Sequence, residues 1–86
     1  MSISEVKAAL GEAHRLLDHG RTTTEGIGAS LDDTAGLMLA TLHDSRRAEA
    51  EKARQAIADA MREVKLTLRA IDAAQESGTE YGKVLG

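Results

Sequence analysis

Histidines and carboxylates are the residues most able to do chemistry in this sequence, and four of them lie close together. His14 and Asp18 are four positions apart, so a helix would place both on one face, with Glu12 and His19 nearby. Imidazole and carboxylate groups can bind a divalent metal ion, but this pair supplies only two ligands. The Glu-x-x-His motif of carboxylate-bridged two-metal bundles does not occur. We therefore expect solvated surface residues and no metal site; a metal-dependent catalyst built on His14 and Asp18 is a weaker alternative.

Other catalytic groups are also sparse. The absence of cysteine excludes disulfides and thiolate zinc sites. Gly26-Ile27-Gly28 lacks the third glycine and the lysine of a phosphate-binding loop. The serines and threonines are accounted for by capping positions or by positions between helices. The sequence therefore predicts a protein that is not an enzyme and that uses no cofactor.

The charge balance narrows the class of partner. Eleven Lys and Arg against 14 Asp and Glu give a formal net charge of −3, which disfavours binding to nucleic acid. One basic cluster is interleaved with Glu49 and Glu51, and we interpret it as a solvated face; the alternative is a site for an acidic partner or for the acidic first helix of a neighbouring copy. The cluster consists of Arg46, Arg47, Lys52 and Arg54.

Hydropathy and the N-terminal sequence bear on localisation. No window approaches the roughly 20 consecutive apolar residues that cross a bilayer, so no membrane span is expected. The first residues lack the basic and apolar regions of a signal peptide. The expected localisation is cytoplasmic, with secretion without a cleaved signal peptide as the alternative.

The elements that would position these residues are helices. Small or apolar residues recur with alternating steps of three and four, which is typical of amphipathic helices in contact along a seam. With 1% aromatic residues and no proline, the composition also disfavours a sheet. In the first half the predicted seam is Ile3, Val6, Leu10, Ala13, Leu17, Gly20, Thr24, Ile27, Leu31, Thr34, Met38 and Thr41. In the second half it is Ala50, Ala53, Ile57, Ala60, Val64, Thr67, Ile71, Ala74, Gly78, Tyr81 and Leu85.

Local signals set the expected boundaries within a single helical domain, residues 1–86. Ser2 followed by Glu5 is a capping box, which predicts a first helix over about 3–43. The pattern breaks at about 43–46, where Asp44 or Ser45 is expected to cap a second helix over about 46–76. Ser77-Gly78 predicts a weak point or a stop of the helix, followed by a tail at 77–86 that either adds a turn or two or frays. The predicted fold is all-α, a long antiparallel helical hairpin.

The segment 20–30 leaves two arrangements open. It contains Gly20, Gly26 and Gly28, each of which costs about 1 kcal/mol relative to alanine inside a helix. That cost favours a loop and a three-helix arrangement. Ile27 and Leu31 nevertheless stay in phase with Leu17, which favours one long first helix, kinked at 20–30. We expect the long helix.

The predicted seam is rich in Ala, Gly and Thr, so one hairpin would bury little apolar area and be marginally stable. At Leu16-Leu17 and near the turn, apolar residues cover more than one face of the helix. A second copy or a related chain would cover these residues and produce a four-helix bundle. The predicted partner-binding residues are Leu16, Leu37, Met38, Leu39 and Leu42.

In layout the chain resembles the Esx, or Trp-x-Gly, family of small helical-hairpin proteins associated with type VII secretion. The resemblance covers the whole chain: two long helices, a short turn, no cysteine and a C-terminal segment with Tyr81. His43-Asp44-Ser45 stands where the family has Trp-x-Gly, and Leu85 replaces the acidic residue of the Tyr-x-x-x-Asp/Glu signal. The resemblance implies a dimer of hairpins, with Tyr81 and Leu85 as candidate recognition residues for the secretion machinery. From its phase alone, Tyr81 is expected on the seam, capping the end of the bundle.

Two functions remain open from the sequence. The first is a non-catalytic helical interaction protein that self-associates, as a dimer, or pairs with a related hairpin, in the manner of an Esx-like secretion substrate or partner. The second is a small regulatory adaptor, chaperone or antitoxin that orders on binding a different protein. In the second, Gly20 to Ser30 would act as a hinge that orders on contact.

Overall fold

Two long antiparallel helices make up the molecule in the computed structural model, which describes residues 1–86. Helix α1 spans Ile3–Leu42 and helix α2 spans Ala48–Leu85. Their length sets the dimensions of the rod, 62 × 16 × 16 Å, because 40 residues rise about 60 Å along a helix. The predicted all-α hairpin is confirmed.

Helix α1 begins at the predicted cap and continues without interruption. The Ser2 hydroxyl oxygen accepts a hydrogen bond from the backbone N–H of Glu5 at 3.1 Å, which satisfies one of the unpaired donors of the first turn. The helix then runs through residues 20–30, so the three-helix arrangement is wrong.

The glycines of that segment explain why it stays helical. A Cβ atom at Gly28 would lie 3.2 Å from Cγ1 of Val64, and one at Gly20 would lie 3.9 Å from Cδ1 of Ile71. Thr24 lies between them on the same face and donates its hydroxyl to the Gly20 carbonyl at 2.7 Å. Small residues at four-residue spacing therefore let α2 approach α1 closely. Packing against the second helix offsets the low helix propensity of the glycines.

The turn is built differently from the prediction. Neither Asp44 nor Ser45 is the N-cap of α2; Arg47 takes that position in an extended conformation, without a side-chain cap. The Arg54 guanidinium donates to the carbonyl oxygens of Leu42 at 3.1 Å and Ser45 at 3.3 Å. The Leu42 carbonyl also accepts from the Ser45 N–H at 2.8 Å, so Arg54 and this backbone bond together close the turn. The solvated-face interpretation of the basic cluster is therefore wrong for Arg54, which is half-buried.

The stop predicted at Ser77-Gly78 does not occur. Helix α2 continues through the predicted tail to Leu85, which corresponds to the alternative in which the tail adds further turns. The left-handed backbone conformation that ends many helices occurs only at Gly86, with φ of 91°. The Gly86 N–H donates to the Lys83 carbonyl at 3.1 Å. Gly78 has helical geometry, and a glycine with helical φ and ψ does not end a helix.

The contact line between the helices follows the predicted phase with a systematic shift. One heptad series of α1 is half-buried as predicted: Leu10, Leu17, Thr24, Leu31 and Met38. Of the companion positions, Val6, Gly20, Ala53 and Ala60 are half-buried as predicted, whereas later ones in each helix move one residue towards the C-terminus. In α1, Gly28, Ala35 and Leu42 replace the exposed Ile27, Thr34 and Thr41. In α2, Leu68, Gln75 and Gly82 replace the exposed Thr67, Ala74 and Tyr81. A helix with 3.6 residues per turn drifts by about 20° per heptad relative to a strict seven-residue repeat, and the shift has the direction of that drift.

Two helices alone bury very few residues. Only Ala50, at 6% exposure, and Gln75, at 8%, are buried. Every other residue of the contact line is at best half-buried, because a rod two helices thick leaves each side chain next to water. The hydrophobic core is therefore a single line of partly covered side chains.

The packing of the glycines predicts opposite effects for two substitutions. Gly26→Ala should raise the free energy of unfolding by about 1 kcal/mol, since a Cβ there meets nothing within 4 Å and alanine favours the helix. Gly28→Leu should lower it by about 1–3 kcal/mol, since the side chain would push Val64 away. Urea denaturation followed by circular dichroism measures both. A stabilising Gly28→Leu would contradict the close approach of the helices.

Candidate interaction surfaces

The structure does not bring the five predicted partner-binding residues onto one surface. Leu16, Leu37 and Leu39 are exposed, at 55%, 71% and 57%. Met38 and Leu42 are half-buried and lie on the contact line with α2. Successive residues of a helix point about 100° apart, so adjacent apolar residues necessarily face in different directions.

Leu39 and Leu16 belong to opposite flanks of the hairpin. Leu39 lines a shallow groove of about 160 Å³ with Ala58 and Met61 of α2, close to the turn. Leu16 lies on the other side of the contact line, in the half of the hairpin that holds both termini. We call this the terminal half, and the other the turn half.

The histidine and carboxylate cluster forms ion pairs on the surface of α1. His14 Nε2 lies 4.0 Å from Asp18 Oδ2, and both side chains are about half exposed. Glu12 pairs instead with Arg15, at 2.5 Å. No group of three or more His, Cys, Asp or Glu side chains is close enough to hold a metal ion. The carboxylate of Asp18 turns towards α2.

A polar cluster of Asp18, Arg21, Asp72 and Gln75 joins the two helices. The buried Gln75 amide donates to Asp18 Oδ1 at 2.8 Å and to the backbone carbonyl of His14 at 3.3 Å. Arg21 donates to Asp18 Oδ1 at 3.1 Å, to Asp72 Oδ1 at 2.5 Å and to the side-chain oxygen of Gln75. No buried side-chain polar atom lacks a partner. These directional bonds set one register of α1 against α2.

The cluster changes the acidity of one of its members. The hydrogen bond from Gln75 is the main cause that holds the pKa of Asp18 below its ordinary value, and the charges of His14 and Arg21 act in the same direction. Each of these contacts favours the charged carboxylate. A depressed pKa in the folded state means that the contribution to stability is present at neutral pH and is lost on acidification.

Sequence reasoning missed this cluster. Gln75 lies one position after the predicted seam residue Ala74. A helix with 3.6 residues per turn drifts relative to a seven-residue repeat, and allowing for that drift would have placed Gln75 on the contact line. Arg21 is likewise one position after the predicted Gly20, which remains half-buried.

Charge divides the terminal half into two flanks. The two carboxylates of the polar cluster lie one position after the contact line: Asp18 follows Leu17, and Asp72 follows Ile71. In the last 20 residues of α2 every charged side chain lies on or near this flank, at Arg69, Asp72, Glu76, Glu80 and Lys83. We call this side of the hairpin the charged face.

The opposite flank, one position before the contact line, carries few charges in the terminal half: Glu5 precedes the half-buried Val6, and Glu12 lies four positions before Leu16. Leu16 precedes Leu17 in α1, and Ala74 precedes Gln75 in α2. Because the helices are antiparallel, one step back leads to the same side of the hairpin in both. The uncharged side chains on this side are together called the uncharged face: Ala9, Ala13, Leu16, Gly20, Thr23 and Ile27 of α1, with Thr67, Ala70, Ala74, Ser77 and Tyr81 of α2. All of these except the half-buried Gly20 are exposed.

Tyr81 lies on the uncharged face, so its predicted seam position is wrong. Its side chain is 51% exposed, and Gly82 occupies the adjacent place on the contact line. Leu85, the other candidate for tail recognition, is half-buried against α1. Recognition through these residues stays a prediction.

A second concave region lies between the helices in the terminal half. It is a groove of about 390 Å³ whose lining includes Gly11, Gly78 and Gly82, together with Lys7 and His14. A Cβ atom at any of the three glycines would meet nothing within 4 Å. The groove is therefore a gap left by missing side chains and is widely open to solvent.

Comparison with known proteins finds no match among protein-family models, curated proteins or solved structures. The resemblance to Esx hairpins therefore stays a prediction from layout. Neither helix combines the length and apolar character needed to cross a membrane.

The polar cluster predicts a cost for removing Gln75. Gln75→Leu keeps the approximate size of the side chain but removes its bonds to Asp18, His14 and Arg21, and should lower the free energy of unfolding by about 1–3 kcal/mol. The control is Gln55→Leu, which removes one exposed bond to Asp59 and should change stability little. Equal effects of the two variants in urea denaturation would contradict the linking role of the cluster.

The lowered pKa of Asp18 predicts a pH dependence. Stability from this carboxylate is present above its ordinary value of 3.8 and is lost as the pH falls through the lower folded-state value. Between pH 7 and about pH 2.5, Asp18→Asn should therefore lose less stability than the unmodified protein. Urea denaturation at both pH values measures this, with Asp33→Asn as a control because Asp33 forms no ion pair or hydrogen bond. An unchanged pH dependence in Asp18→Asn would contradict the assignment.

Proposed function

We propose that the chain is a non-catalytic helical interaction protein whose hairpins self-associate, as a dimer that forms a four-helix bundle. The observation that carries the proposal is the amount of exposed surface. The hairpin exposes 6365 Å², whereas a folded monomer of 9.1 kDa is expected to expose about 4,900 Å². The difference of about 1,500 Å² is nearly twice the ~800 Å² that each partner buries in a standard interface.

The shape of the molecule accounts for this excess. Its radius of gyration is 19.2 Å, while a compact chain of 86 residues has about 12 Å. Ala50 is the only buried apolar residue, so the hydrophobic stabilisation of one copy is small. A second hairpin laid along the first would bury side chains that now reach only half-burial.

The uncharged face supports the proposal through its chemistry. Leu16, Ile27 and Tyr81 are each about half exposed there and are surrounded by Ala, Gly, Ser and Thr. Covering the α2 part of this face, from Thr67 to Tyr81, requires no charged group to be removed from water. Interface centres are depleted of charge and enriched in aromatic residues, and this face has both features.

Self-association is preferred over an adaptor that orders on binding a different protein. That alternative depended on residues 20–30 acting as a hinge. This segment lies inside α1, and Gly20 and Gly28 pack against Ile71 and Val64.

Secretion in the manner of the Esx family is a part of the proposal that rests on layout alone. The hairpin has the expected antiparallel arrangement of two long helices, and Tyr81 is accessible on its surface. Pairing with a related hairpin would use the same uncharged surface as self-association.

Sedimentation velocity at micromolar concentration tests the proposal. We expect a dimer, together with a melting temperature by circular dichroism that rises with protein concentration, because association stabilises the folded state by mass action. A stable monomer whose melting temperature does not depend on concentration would refute self-association. A partly unfolded monomer would instead favour the adaptor alternative.

A further inference from the structure

We propose that the peptide bond between Arg46 and Arg47 is a processing site for an endoprotease that selects arginine, and that its hydrolysis releases the two helices from each other. Three of the 11 Lys and Arg residues lie in α1 and six in α2, which leaves only these two between the helices. The bond lies in the turn, away from the uncharged face of the terminal half, so its cleavage does not depend on self-association.

The backbone at Arg46 is free to bind a protease. A peptide that is recognised in an extended conformation pairs its N–H and carbonyl groups with the protein that binds it. Neither the N–H nor the carbonyl oxygen of Arg46 forms a hydrogen bond within the chain. Arg47 is already extended, with φ of −68° and ψ of 146°. Both side chains are exposed, so the bond between them is open to an enzyme on both sides.

The bond that follows Arg47 is protected. The Arg47 carbonyl oxygen accepts hydrogen bonds from the N–H groups of Ala50 at 3.1 Å and Glu51 at 3.3 Å, so cleavage there requires the first turn of α2 to open. Every Lys and Arg within the helices is protected in the same way, because cleavage inside a helix needs local unfolding. The structure therefore singles out the bond after Arg46.

The exposed guanidinium of Arg46 suits a protease whose specificity pocket carries a carboxylate, as the pocket of trypsin does. Hydrolysis consumes one water molecule and breaks the C–N bond between Arg46 and Arg47. The water oxygen joins the carbonyl carbon of Arg46 to give a carboxylate. Both water protons end on the nitrogen of Arg47, which becomes an ammonium group.

The two new charges oppose the helix dipoles at the turn. The carboxylate of Arg46 follows the C-terminal end of α1, where the dipole is negative, and the ammonium group of Arg47 stands at the N-terminal end of α2, where it is positive. Arg54 still reaches across the cut to the carbonyl oxygens of Leu42 and Ser45. These bonds then join two separate chains.

Cleavage makes the pairing of the helices a reaction between two molecules. In the intact hairpin the short turn keeps α1 and α2 at an effective concentration on the order of millimolar. The contact line supplies little affinity of its own, because Ala50 is its only buried apolar residue. Dilution therefore separates the cut helices and exposes the contact line of each, whereas the uncut hairpin stays paired.

Limited digestion of the folded protein with an arginine-specific endoprotease, followed by mass spectrometry, tests the site. The first cut should fall after Arg46 and give fragments 1–46 and 47–86. Arg46→Gln should slow the first cut about tenfold or more, because every remaining arginine is followed by a bond that helical structure protects. Arg47→Gln is the matched control and should leave the rate of cleavage after Arg46 within about threefold.

Two outcomes of the digestion would overturn the proposal. One is a first cut after Arg47 or after an arginine inside a helix, such as Arg15 or Arg62. The other is an Arg46→Gln variant that is digested as fast as the unmodified protein while circular dichroism shows the same helicity.

Circular dichroism of the purified cut protein tests the release of the helices. Its helicity should fall by about half between roughly 100 μM and roughly 1 μM, because the pairing of separate chains follows mass action. The uncut protein should keep its helicity over the same range. A cut protein whose helicity does not depend on concentration would overturn the release, while the digestion decides the site.

Discussion

The close approach of two helices along one line of contact is the constraint on which this structure depends. With no third element available, every side chain on that line has water on at least one side, and only Ala50 and Gln75 become buried. Apolar burial is therefore weak and nearly uniform along the rod, so by itself it distinguishes poorly between registers. Two sets of contacts fix the register of α1 against α2. Gly20 and Gly28 receive Ile71 and Val64, and the Gln75 amide bonds to Asp18 and to the backbone of His14.

The sequence was sufficient for the hairpin, its Ser2 cap and the main heptad series, because these follow from local chemistry and a regular repeat. It was insufficient where a distant contact decides the outcome. Helix propensity argued against a helix at residues 20–30, but Val64 and Ile71 compensate for the glycines. The role of Arg54 depends on carbonyl groups 9 and 12 positions away, which no local pattern reveals.

The candidate interaction surface was likewise predictable from the sequence only in part. Exposure of Leu16, Leu37 and Leu39 follows from adjacent apolar residues in a helix, and the structure has these three side chains exposed. Their distribution over different flanks depends on where the contact line runs. A shift of one residue moves Gln75 inwards and Tyr81 outwards. That single step separates a charged flank, which joins the helices to each other, from a flank of mostly small and uncharged side chains, which is exposed.

The position of Tyr81 has a consequence for how this protein can be observed. It is the only aromatic side chain in the chain, and it lies outside the contact between the helices. Because about half of its side chain is exposed in one hairpin, its ultraviolet absorption and fluorescence report only in part on the contact between the two helices. The same signals respond to whatever covers the uncharged face, so an intrinsic chromophore that in most small domains monitors folding serves here as a reporter of occupancy.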